Sequence, residues 1–428
     1  MARDRVSEDA LALFERGQKA YQQGDHREAV ECFTRAIRLR PDVAAAYRYR
    51  AYAYREMGDR LSALNDLDTA IRLNPQEVQN YVDRAMVLFA QKAYDQAIAD
   101  CDRVLSLDPG RGAIYGLRGR CHAAVGNSEQ AIRDFGTALE ADPENAARYL
   151  EWRAELCLEC GLTDQVLADG ERLTQLEPSN PYARSLQGYA SLAQQRFHEA
   201  LEYFHQAIQL DPELLTARIG RIQAYLQLRQ GMEAEADCTA ILSLKSEDSV
   251  VAIAYELRGL ARRLQGRWQD ACADFTAALQ HNPTVELYNR RAEMYYYAGE
   301  YAAALRDHMQ ALKLDPHNPQ TLNMLAWIWS TCPDPEFRNG PRAKECATRA
   351  CELTEWSEPG LIDTLAAACA ECGDYDLAVQ WQTRAVELVE QKGNANDTTR
   401  QDYQARCELY RQRKPFRTPW GPLSQLLP

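Results

Sequence analysis

An arginine and an aspartate recur sixteen residues apart along this chain of 428 residues. A guanidinium group holds a carboxylate through two parallel hydrogen bonds. Such a series allows two interpretations: a row of arginines that binds an acidic partner, or ion pairs inside the protein. Because each arginine has its own aspartate at a constant spacing, we predict structural ion pairs. The pairs are Arg50/Asp66, Arg84/Asp100, Arg118/Asp134, Arg153/Asp169, Arg221/Asp237, Arg258/Asp274 and Arg291/Asp307.

Two Cys-x-x-Cys motifs, Cys157/Cys160 and Cys369/Cys372, supply four thiols that together could bind zinc. The motifs lie about 210 residues apart, however, and neither has a histidine at ligand spacing. Small buried helix residues are the better explanation, so we expect no metal and no other cofactor. The sequence leaves a redox or metal role of the two motifs open. A total of 13 cysteines is odd, which does not suit a disulfide framework.

The sequence contains no residue arrangement typical of an enzyme. It has neither a phosphate-binding glycine loop nor a nucleophile motif, and its seven histidines are scattered. The net charge of −13 argues against a general nucleic-acid binder, since Lys and Arg supply affinity for phosphates. Residues 1–17 lack the apolar core of a signal peptide, and no run approaches the ~18 apolar residues of a membrane span. We therefore expect a non-enzymatic cytoplasmic protein that binds neither nucleic acid nor membrane.

A period of about 34 residues runs through most of the chain and must position the ion pairs. Glycine marks a turn, alanine permits close approach of helices, and proline ends a helix. The pattern predicts helix–turn–helix units that each bury one apolar stripe against their neighbours. The recurring residues include Pro41, Pro75, Pro109, Pro143, Pro178 and Pro212, together with Ala29, Ala63, Ala97 and Ala131.

These residues resemble the tetratricopeptide repeat (TPR) family, and the resemblance covers about residues 8–390. It implies an all-α fold: a right-handed superhelical α-solenoid of about eleven helix–turn–helix units with a C-terminal capping helix. We expect a lead-in over residues 1–9 and nine regular units over residues 10–318. A variant C-terminal module of two units over residues 319–390 and a capping helix with an apolar tail over residues 391–428 complete the expected organisation.

The resemblance also implies that the first helix of each unit lines a concave groove. Carried over by position, the candidate groove residues mix arginine with aromatic and apolar groups and then turn acidic. Such a groove suits an extended segment or a helix with apolar residues and an acidic end. We therefore expect a scaffold that binds a protein or peptide partner. The alternative is a regulatory sensor that binds a small signalling peptide or a metabolite and changes the curvature of the superhelix. The candidates are Arg48, Tyr52, Arg55, Val82, Met86, Phe89, Arg120, Glu155, Tyr189 and Trp327.

Some members of the family bind the C-terminal tails of chaperones through a clamp of Lys and Asn on successive first helices. In this chain, Phe14 and Gln18 stand where the Lys and Asn of unit one are expected. Tyr49 stands where unit two should offer Asn. The mismatch argues against chaperone-tail binding.

The C-terminal module has an insertion over residues 331–341, with three prolines and a glycine that interrupt the helix. It looks like a module common in bacterial multi-repeat proteins. A final helix over about Thr398–Arg413 is expected to seal the last unit through Tyr403, Cys407 and Tyr410. The tail after it is apolar and is expected either to pack on the cap or to bind a partner; it contains Phe416, Trp420, Leu423, Leu426 and Leu427.

Overall fold

The computed structural model describes residues 2–244, 247–392 and 397–419. Within these ranges the chain forms 23 α-helices, two 3-10 turns at Pro143–Asn145 and Pro335–Phe337, and no β-strand. No helix in these ranges combines the length and the apolar character that crossing a bilayer requires. The predicted all-α class is confirmed.

The first twelve helices are joined in pairs by short turns. They are α1 (Ala2–Gln22), α2 (His26–Leu39), α3 (Ala44–Glu56), α4 (Arg60–Leu73), α5 (Val78–Ala90), α6 (Tyr94–Leu107), α7 (Gly112–Ala124), α8 (Ser128–Ala141), α9 (Ala146–Glu159), α10 (Thr163–Leu176), α11 (Pro181–Ala193) and α12 (Phe197–Leu210). In every pair the odd-numbered helix is the first helix of a repeat and the even-numbered helix is the second.

The same pairing continues along the rest of the chain and ends with one additional helix. The helices are α13 (Leu215–Gln227), α14 (Gly231–Ser243), α15 (Asp248–Leu264), α16 (Trp268–His281), α17 (Val285–Tyr297), α18 (Tyr301–Leu314), α19 (Pro319–Thr331), α20 (Gly340–Leu353), α21 (Pro359–Glu371), α22 (Tyr375–Lys392) and α23 (Asp397–Arg411). The last of them, α23, packs on α22.

Contacts divide the chain into two compact units, an N-terminal unit up to Ala217 and a C-terminal unit from Arg218 onward. Within the units, second helices such as α4 and α20 pack both on the first helix of their own pair and on the first helix of the next pair. A helix pair buries its apolar stripe only through such stacking, which is the principle of a solenoid. The predicted α-solenoid of helix pairs is thereby confirmed.

The turn between the two helices of a repeat requires a residue in the left-handed backbone conformation. Gly58 and Gly126 adopt it with φ angles of 80° and 83°, and glycine does so without steric cost. Lys92 takes the same place between α5 and α6 with a φ of 61°, at a cost of about 1–2 kcal/mol for a residue with a side chain. The packing of α5 against α6 stabilises this turn although its residue is lysine instead of glycine.

Small residues on the first helix make room for an aromatic ring on the second helix. A Cβ atom added to Gly119 would lie 2.8 Å from the ring of Phe135, and this ring is only 1% exposed. Larger residues would force the two helices apart, since close-packed interiors do not absorb added volume. The same arrangement recurs at Gly17/Phe33, Gly188/Phe204 and Gly259/Phe275.

The seven arginine–aspartate pairs each join the first helix to the second helix of one repeat, and we call this series the ladder. Every arginine of the ladder donates hydrogen bonds from Nε and Nη2 to its aspartate at N···O distances of 2.6 to 3.1 Å. The aspartates are only 2 to 6% exposed. Their charges are therefore buried against the arginines, and neither partner is positioned to bind an acidic ligand.

Two aspartates of the ladder differ in the number of arginines that bind them. Asp66 on α4 accepts from Nε and Nη2 of Arg50, each at 2.7 Å, as the spacing predicts. Asp274 on α16 accepts from Nη2 of Arg258 at 2.7 Å, but its Oδ2 also lies 2.8 Å from Nη1 of Arg262. The predicted pair Arg258/Asp274 is present, and Arg262 is a second arginine at the same carboxylate. Arg262 follows Arg258 by one turn of α15, so both guanidinium groups reach the same carboxylate.

Several ladder arginines also reach back to the preceding repeat. Arg84 Nη1 donates to Asp68 Oδ1 at 2.7 Å, and Arg118 Nη1 donates to Asp102 Oδ1 at 2.6 Å. In the first such position Thr34 accepts the bond, from Arg50 Nη1 at 3.0 Å. Each of these guanidinium groups thus links three helices of two adjacent repeats.

Two predicted boundaries differ from the structure. The first helix begins at Ala2, so residues 2–9 are part of α1 and not a separate lead-in. In the variant module, the insertion contains the 3-10 turn Pro335–Phe337, and helix α20 begins at Gly340.

A buried ion pair holds the last helix, and here the aspartate lies on the first helix α21 and the arginine on the later helix α23. Asp363 on α21 is 4% exposed and accepts hydrogen bonds from Arg406 Nε of α23 at 2.8 Å and from Gln382 Nε2 of α22 at 2.6 Å. Tyr403, Cys407 and Tyr410 are buried on α23. Trp420, Leu423, Leu426 and Leu427 of the apolar tail lie outside the described residues.

Replacing Arg118 by Leu is expected to lower the melting temperature more than replacing both Arg118 and Asp134 by Leu. The single change leaves a buried carboxylate without its partner, which costs about 3–5 kcal/mol, and the double change removes the unpaired charge. Thermal unfolding followed by circular dichroism measures the difference.

The control is the double variant Arg118→Leu/Asp102→Leu. The side chain of Asp102 is 57% exposed, so water solvates its charge and its removal should not restore stability. Equal melting temperatures for Arg118→Leu and Arg118→Leu/Asp134→Leu would contradict the buried pairing.

Candidate binding surface

Most of the predicted groove residues lie on four consecutive first helices of the N-terminal unit. Helix α3 carries Arg48, Tyr52 and Arg55, and α5 carries Met86 and Phe89. Arg120 follows on α7 and Glu155 on α9. Met86 is 50% exposed and Arg120 is exposed as well. We call the surface of α3, α5, α7 and α9 that carries these side chains the first-helix face.

The ladder residues lie apart from the first-helix face. Asp66 on α4 and Asp274 on α16 are 6% and 2% exposed, and both belong to second helices. Asp100 on α6 and Asp134 on α8 are buried in the same way. The arginines that bind these four aspartates turn toward them and away from a ligand; they are Arg50, Arg84, Arg118 and Arg258. A row of arginines that binds an acidic partner therefore has no support in the structure.

A buried carboxylate anchors the α3 part of the first-helix face. The hydroxyl of Tyr52 donates to Asp83 Oδ2 at 2.6 Å, and Gln79 Nε2 donates to Asp83 Oδ1 at 2.9 Å. Burial raises the pKa of Asp83, although both hydrogen bonds act in the opposite direction. Burial and the bond to Asp83 also raise the pKa of Tyr52. The guanidinium of Arg55 lies 5.7 Å from the Tyr52 ring centroid, so this aromatic ring is fixed between a carboxylate and a cation.

The second cluster of the first-helix face is an arginine between two aromatic rings. The guanidinium carbon of Arg120 lies 4.5 Å from the ring centroid of Phe89 and 4.8 Å from that of Trp152. Cation–π attraction of this kind contributes about 0.5–1 kcal/mol at an exposed site and more when water is excluded. Arg120 is thereby held in place, while its N–H groups stay available at the surface.

Sequence reasoning did not identify Asp83 and Trp152 as members of this face. Their partners Tyr52 and Arg120 lie on the preceding first helices. Tyr52–Asp83 and Phe89–Arg120 are each separated by 31 residues. This separation is three residues less than the repeat, so a side chain meets the residue one helical turn earlier on the next first helix. A search for complementary residue types at this spacing would have found Asp83.

The acidic part of the candidate groove is already engaged within the protein. Glu155 Oε1 accepts a hydrogen bond from the Tyr182 hydroxyl at 2.5 Å, and Glu151 Oε1 accepts one from Asn180 Nδ2 at 3.0 Å. Tyr189 donates to the backbone oxygen of Thr216 at 2.8 Å. Both Glu155 and Tyr189 therefore help to join neighbouring repeats of the N-terminal unit.

Two predicted groove residues have other surroundings. Val82 is 7% exposed and packs in the core with Ala85, Val104 and Ile114, because it faces the second helices and not the open side of α5. Trp327 lies in the C-terminal unit, with its ring centroid 5.8 Å from that of Phe416. The assignment of Val82 to the groove is therefore wrong. Trp327 lies on a different first helix, α19, and its place in a groove stays a prediction.

Comparisons with known proteins agree with this geometry. Models described as tetratricopeptide repeat match residues 191–252 and residues 164–214 and 256–319, and a model of the ETO1 C-terminal domain matches residues 15–154. The chain is a tetratricopeptide repeat protein. The predicted family is thus confirmed for repeats in both units.

Relatives of this tetratricopeptide repeat protein share parts of its length. Human tetratricopeptide repeat protein 6 is 29% identical over 37% of this chain and 30% of its own length. Hsc70-interacting protein 1 of Drosophila melanogaster is 32% identical over 25% of this chain and 28% of its own length. The chain therefore spans less than a third of these curated relatives. Both are eukaryotic, and the resemblance to bacterial multi-repeat proteins stays a prediction.

A solved structure that resembles the tetratricopeptide repeat protein along most of its length is yeast Tom70. The match has 16% sequence identity and a TM-score of 0.44, and it covers 95% of this chain and 96% of that chain.

The cysteines of this tetratricopeptide repeat protein are free thiols. In each Cys-x-x-Cys motif the first cysteine is buried and the second is exposed. Burial raises the pKa of both Cys157 and Cys369 to about 11, so these thiols are protonated at neutral pH. Among the described residues, no group of three or more His, Cys, Asp or Glu side chains is arranged to hold a metal ion. This arrangement favours helix packing over thiolate chemistry.

A polar pocket of about 590 Å³ in the C-terminal unit includes a buried histidine. His308 is 0% exposed, and its Nδ1 lies 2.9 Å from Asn289 Oδ1. The direction of the hydrogen bonds follows from the start of α19. Asn318 Oδ1 accepts from the backbone N–H of Thr321 and from its hydroxyl, so the Thr321 oxygen accepts from Asn289 Nδ2 at 2.7 Å.

This chain of bonds determines the protonation state of His308. Because Asn289 Nδ2 donates to Thr321, Asn289 Oδ1 is the acceptor that faces His308. Nδ1 of His308 therefore carries the proton. Burial lowers the pKa of His308 to about 4. The ring is consequently neutral at physiological pH.

The stability of wild type is expected to fall more steeply than that of His308→Phe between pH 6.5 and 4. The folded protein keeps His308 neutral down to about pH 4, whereas the unfolded chain binds a proton from about pH 6.5 downward. The unfolded state thus holds more protons in this window, which costs up to about 1.4 kcal/mol of stability per pH unit.

Urea unfolding of both proteins at several pH values measures the two slopes. Titrating carboxylates are common to both, so only the difference between wild type and variant reports His308. Parallel slopes would show that His308 is not held neutral in the folded state.

Proposed function

We propose that this protein is a non-enzymatic scaffold that binds a peptide or protein segment on its first-helix face. The observation that supports the proposal most directly is the exposed Arg120 between the rings of Phe89 and Trp152. Arginine and aromatic side chains dominate the binding energy of protein interfaces. Here they are fixed in advance, so little conformational entropy is lost when a ligand binds.

The face also determines the chemistry of the segment it accepts. Met86 offers flexible apolar surface that adapts to an aliphatic or aromatic side chain. Arg120 is exposed and offers N–H donors to a carboxylate or to backbone carbonyl groups. Arg55 is exposed too, but its Nε and Nη2 already donate to Glu56 Oε1. The ladder arginines are unavailable because they are bound to buried aspartates. The preferred ligand is a segment with an apolar residue followed or preceded by an acidic group.

Chaperone tails are a separate class of ligand that the first helices α1 and α3 do not suit. The name of Hsc70-interacting protein 1 refers to a chaperone, but its match covers only a quarter of this chain. Phe14, at the position expected for the clamp lysine, packs its ring 5.6 Å from Phe33 and 5.3 Å from Tyr49. An aromatic cluster thus occupies the place where a terminal carboxylate would require cationic and amide groups.

The double variant Met86→Ala/Arg120→Gln is expected to lose at least tenfold in affinity for the partner. Both side chains are exposed, and each truncation of an interface anchor costs about 1–2 kcal/mol. Partners are captured by the wild-type protein and identified by mass spectrometry. Calorimetry with the segment that binds then gives the dissociation constants.

A matched control is Met309→Ala/Arg306→Gln, which truncates the same residue types on the second helix α18, where both are also exposed. It should bind as wild type does, and the melting temperatures of both variants should stay near the wild-type value. Tyr52 is left intact because its removal would take away one of the two hydrogen bonds that the buried Asp83 accepts. Unchanged affinity of Met86→Ala/Arg120→Gln would exclude the first-helix face as the binding surface.

A further inference from the structure

The end of helix α19 differs from the ends of the other first helices in the C-terminal unit. After α17, the glycine turn supplies backbone N–H groups to the last carbonyls, as in Gly299 N to Tyr296 O at 3.1 Å. After α19 the insertion replaces this turn, and the chain leaves in an extended conformation at Cys332. The carbonyls of Ser330 and Thr331 therefore need partners from elsewhere.

Residues 414–419, which follow α23, supply those partners. We call them the return segment. The backbone N–H of Thr418 donates to Thr331 O at 2.9 Å, and Arg417 Nη1 donates to Ser330 O at 3.1 Å. The Thr418 hydroxyl donates to Thr331 Oγ1 at 3.1 Å and accepts from the Tyr296 hydroxyl at 3.0 Å. The first helices α17 and α19 thus bind the return segment through the backbone and the hydroxyl group of Thr418.

The neighbouring side chains of the return segment enter a charged and an aromatic subsite. Arg417 Nη2 donates to Glu371 Oε2 at 2.5 Å. Glu371 is oriented by Arg338 of the insertion, at 3.3 Å, and Arg338 in turn donates to the carbonyls of Cys332 and Pro333. The insertion therefore builds the arginine subsite as well as opening the end of α19.

Phe416 occupies the aromatic subsite. Its ring centroid lies 5.8 Å from that of Trp327, and the Arg406 guanidinium carbon lies 5.3 Å from it. Together, the helix end, Glu371 and Trp327 receive an aromatic residue, an arginine and a hydroxyl residue in consecutive order. This is the arrangement of a peptide-binding site in which the ligand is the protein's own chain.

We propose that this site accepts an extended segment of a partner protein with the order aromatic residue, arginine, serine or threonine, and that the return segment occupies it in competition with that partner. The site belongs to the C-terminal unit and shares no residue with the first-helix face. It does not depend on the scaffold function assigned to that face, and the Met86/Arg120 variants do not test it.

The attachment of the return segment is suited to exchange. Of its residues only Thr418 is buried, while Phe416 and Arg417 are half-buried and Lys414 and Pro419 are exposed. The covalent link to α23 raises its effective concentration to about the mM range, so even weak contacts keep the site filled. A partner with additional contacts elsewhere can then displace the segment without unfolding a helix.

A fluorescent peptide of sequence Lys-Pro-Phe-Arg-Thr-Pro, which copies residues 414–419, tests the site in the full-length chain. In the release variant Phe416→Ser/Arg417→Ser the site is expected to be empty and to bind the peptide. Wild type should bind it at least tenfold more weakly because the tethered segment competes. A scrambled peptide and the variant Phe416→Ser/Arg417→Ser/Glu371→Gln should not bind. No binding to the release variant, with its helix content retained, would overturn the proposal.

Hydrogen exchange in the wild-type chain gives a second test that needs no variant. The Thr418 amide is protected by Thr331 O, and exchange of the segment requires only that this short stretch opens. Its amide should therefore exchange at least tenfold faster than the core amides of α19 and α23. Equal protection of all three would show a permanent part of the fold and would overturn the proposal, even if the release variant fails to fold.

Discussion

The buried ion pair between an arginine on one helix and an aspartate on the next is the constraint on which the register of seven repeats depends. Arg84 shows its full extent, since it binds Asp100 within its own repeat and Asp68 in the repeat before. A planar guanidinium satisfies both carboxylates only when the three helices have one register and one spacing. We infer that the ladder contributes specificity of stacking more than net stability, because desolvation offsets much of the attraction between buried charges.

The ladder also determines what remains free for binding. Because the ladder arginines and aspartates satisfy one another, they leave other positions of the first helices to face a ligand. On α5 and α7 those positions hold Met86, Phe89 and Arg120. Residues of adjacent first helices meet at the repeat length minus one helical turn, so aromatic and cationic groups from different repeats form mixed clusters. The ladder and the proposed binding surface therefore occupy different faces of the same helix.

Sequence periodicity was sufficient to predict the helices, their pairing and the arginine that binds each ladder aspartate within the same repeat, since each of these features recurs. It missed the second arginine at Asp274, because Arg262 belongs to one repeat alone. It did not predict Asp83 or Trp152 either, because contacts between first helices depend on the geometry of stacking and not on a recurring residue type.

Val82 is the predicted groove residue that the structure contradicts, because neighbouring positions on a helix face different directions. The contact of Trp327 with Phe416 was not predicted, because Phe416 lies far away in the chain and outside the repeat pattern. The period of a sequence therefore predicts the contacts that recur in each repeat, and it does not predict contacts that occur only once.

The backward contact of the ladder arginines has a consequence for the length of the chain. Asp102 lies sixteen residues before Arg118, and Asp68 lies a further 34 residues upstream. Deleting residues 78–111 as one block would place Asp68 sixteen residues before Arg118, where Asp102 now stands. Arg118 would then still meet two carboxylates, Asp134 and Asp68, and the turns on either side of the deletion would keep their lengths. In this part of the chain, the loss of one whole repeat of 34 residues would therefore preserve the pattern of ion pairs that joins neighbouring repeats.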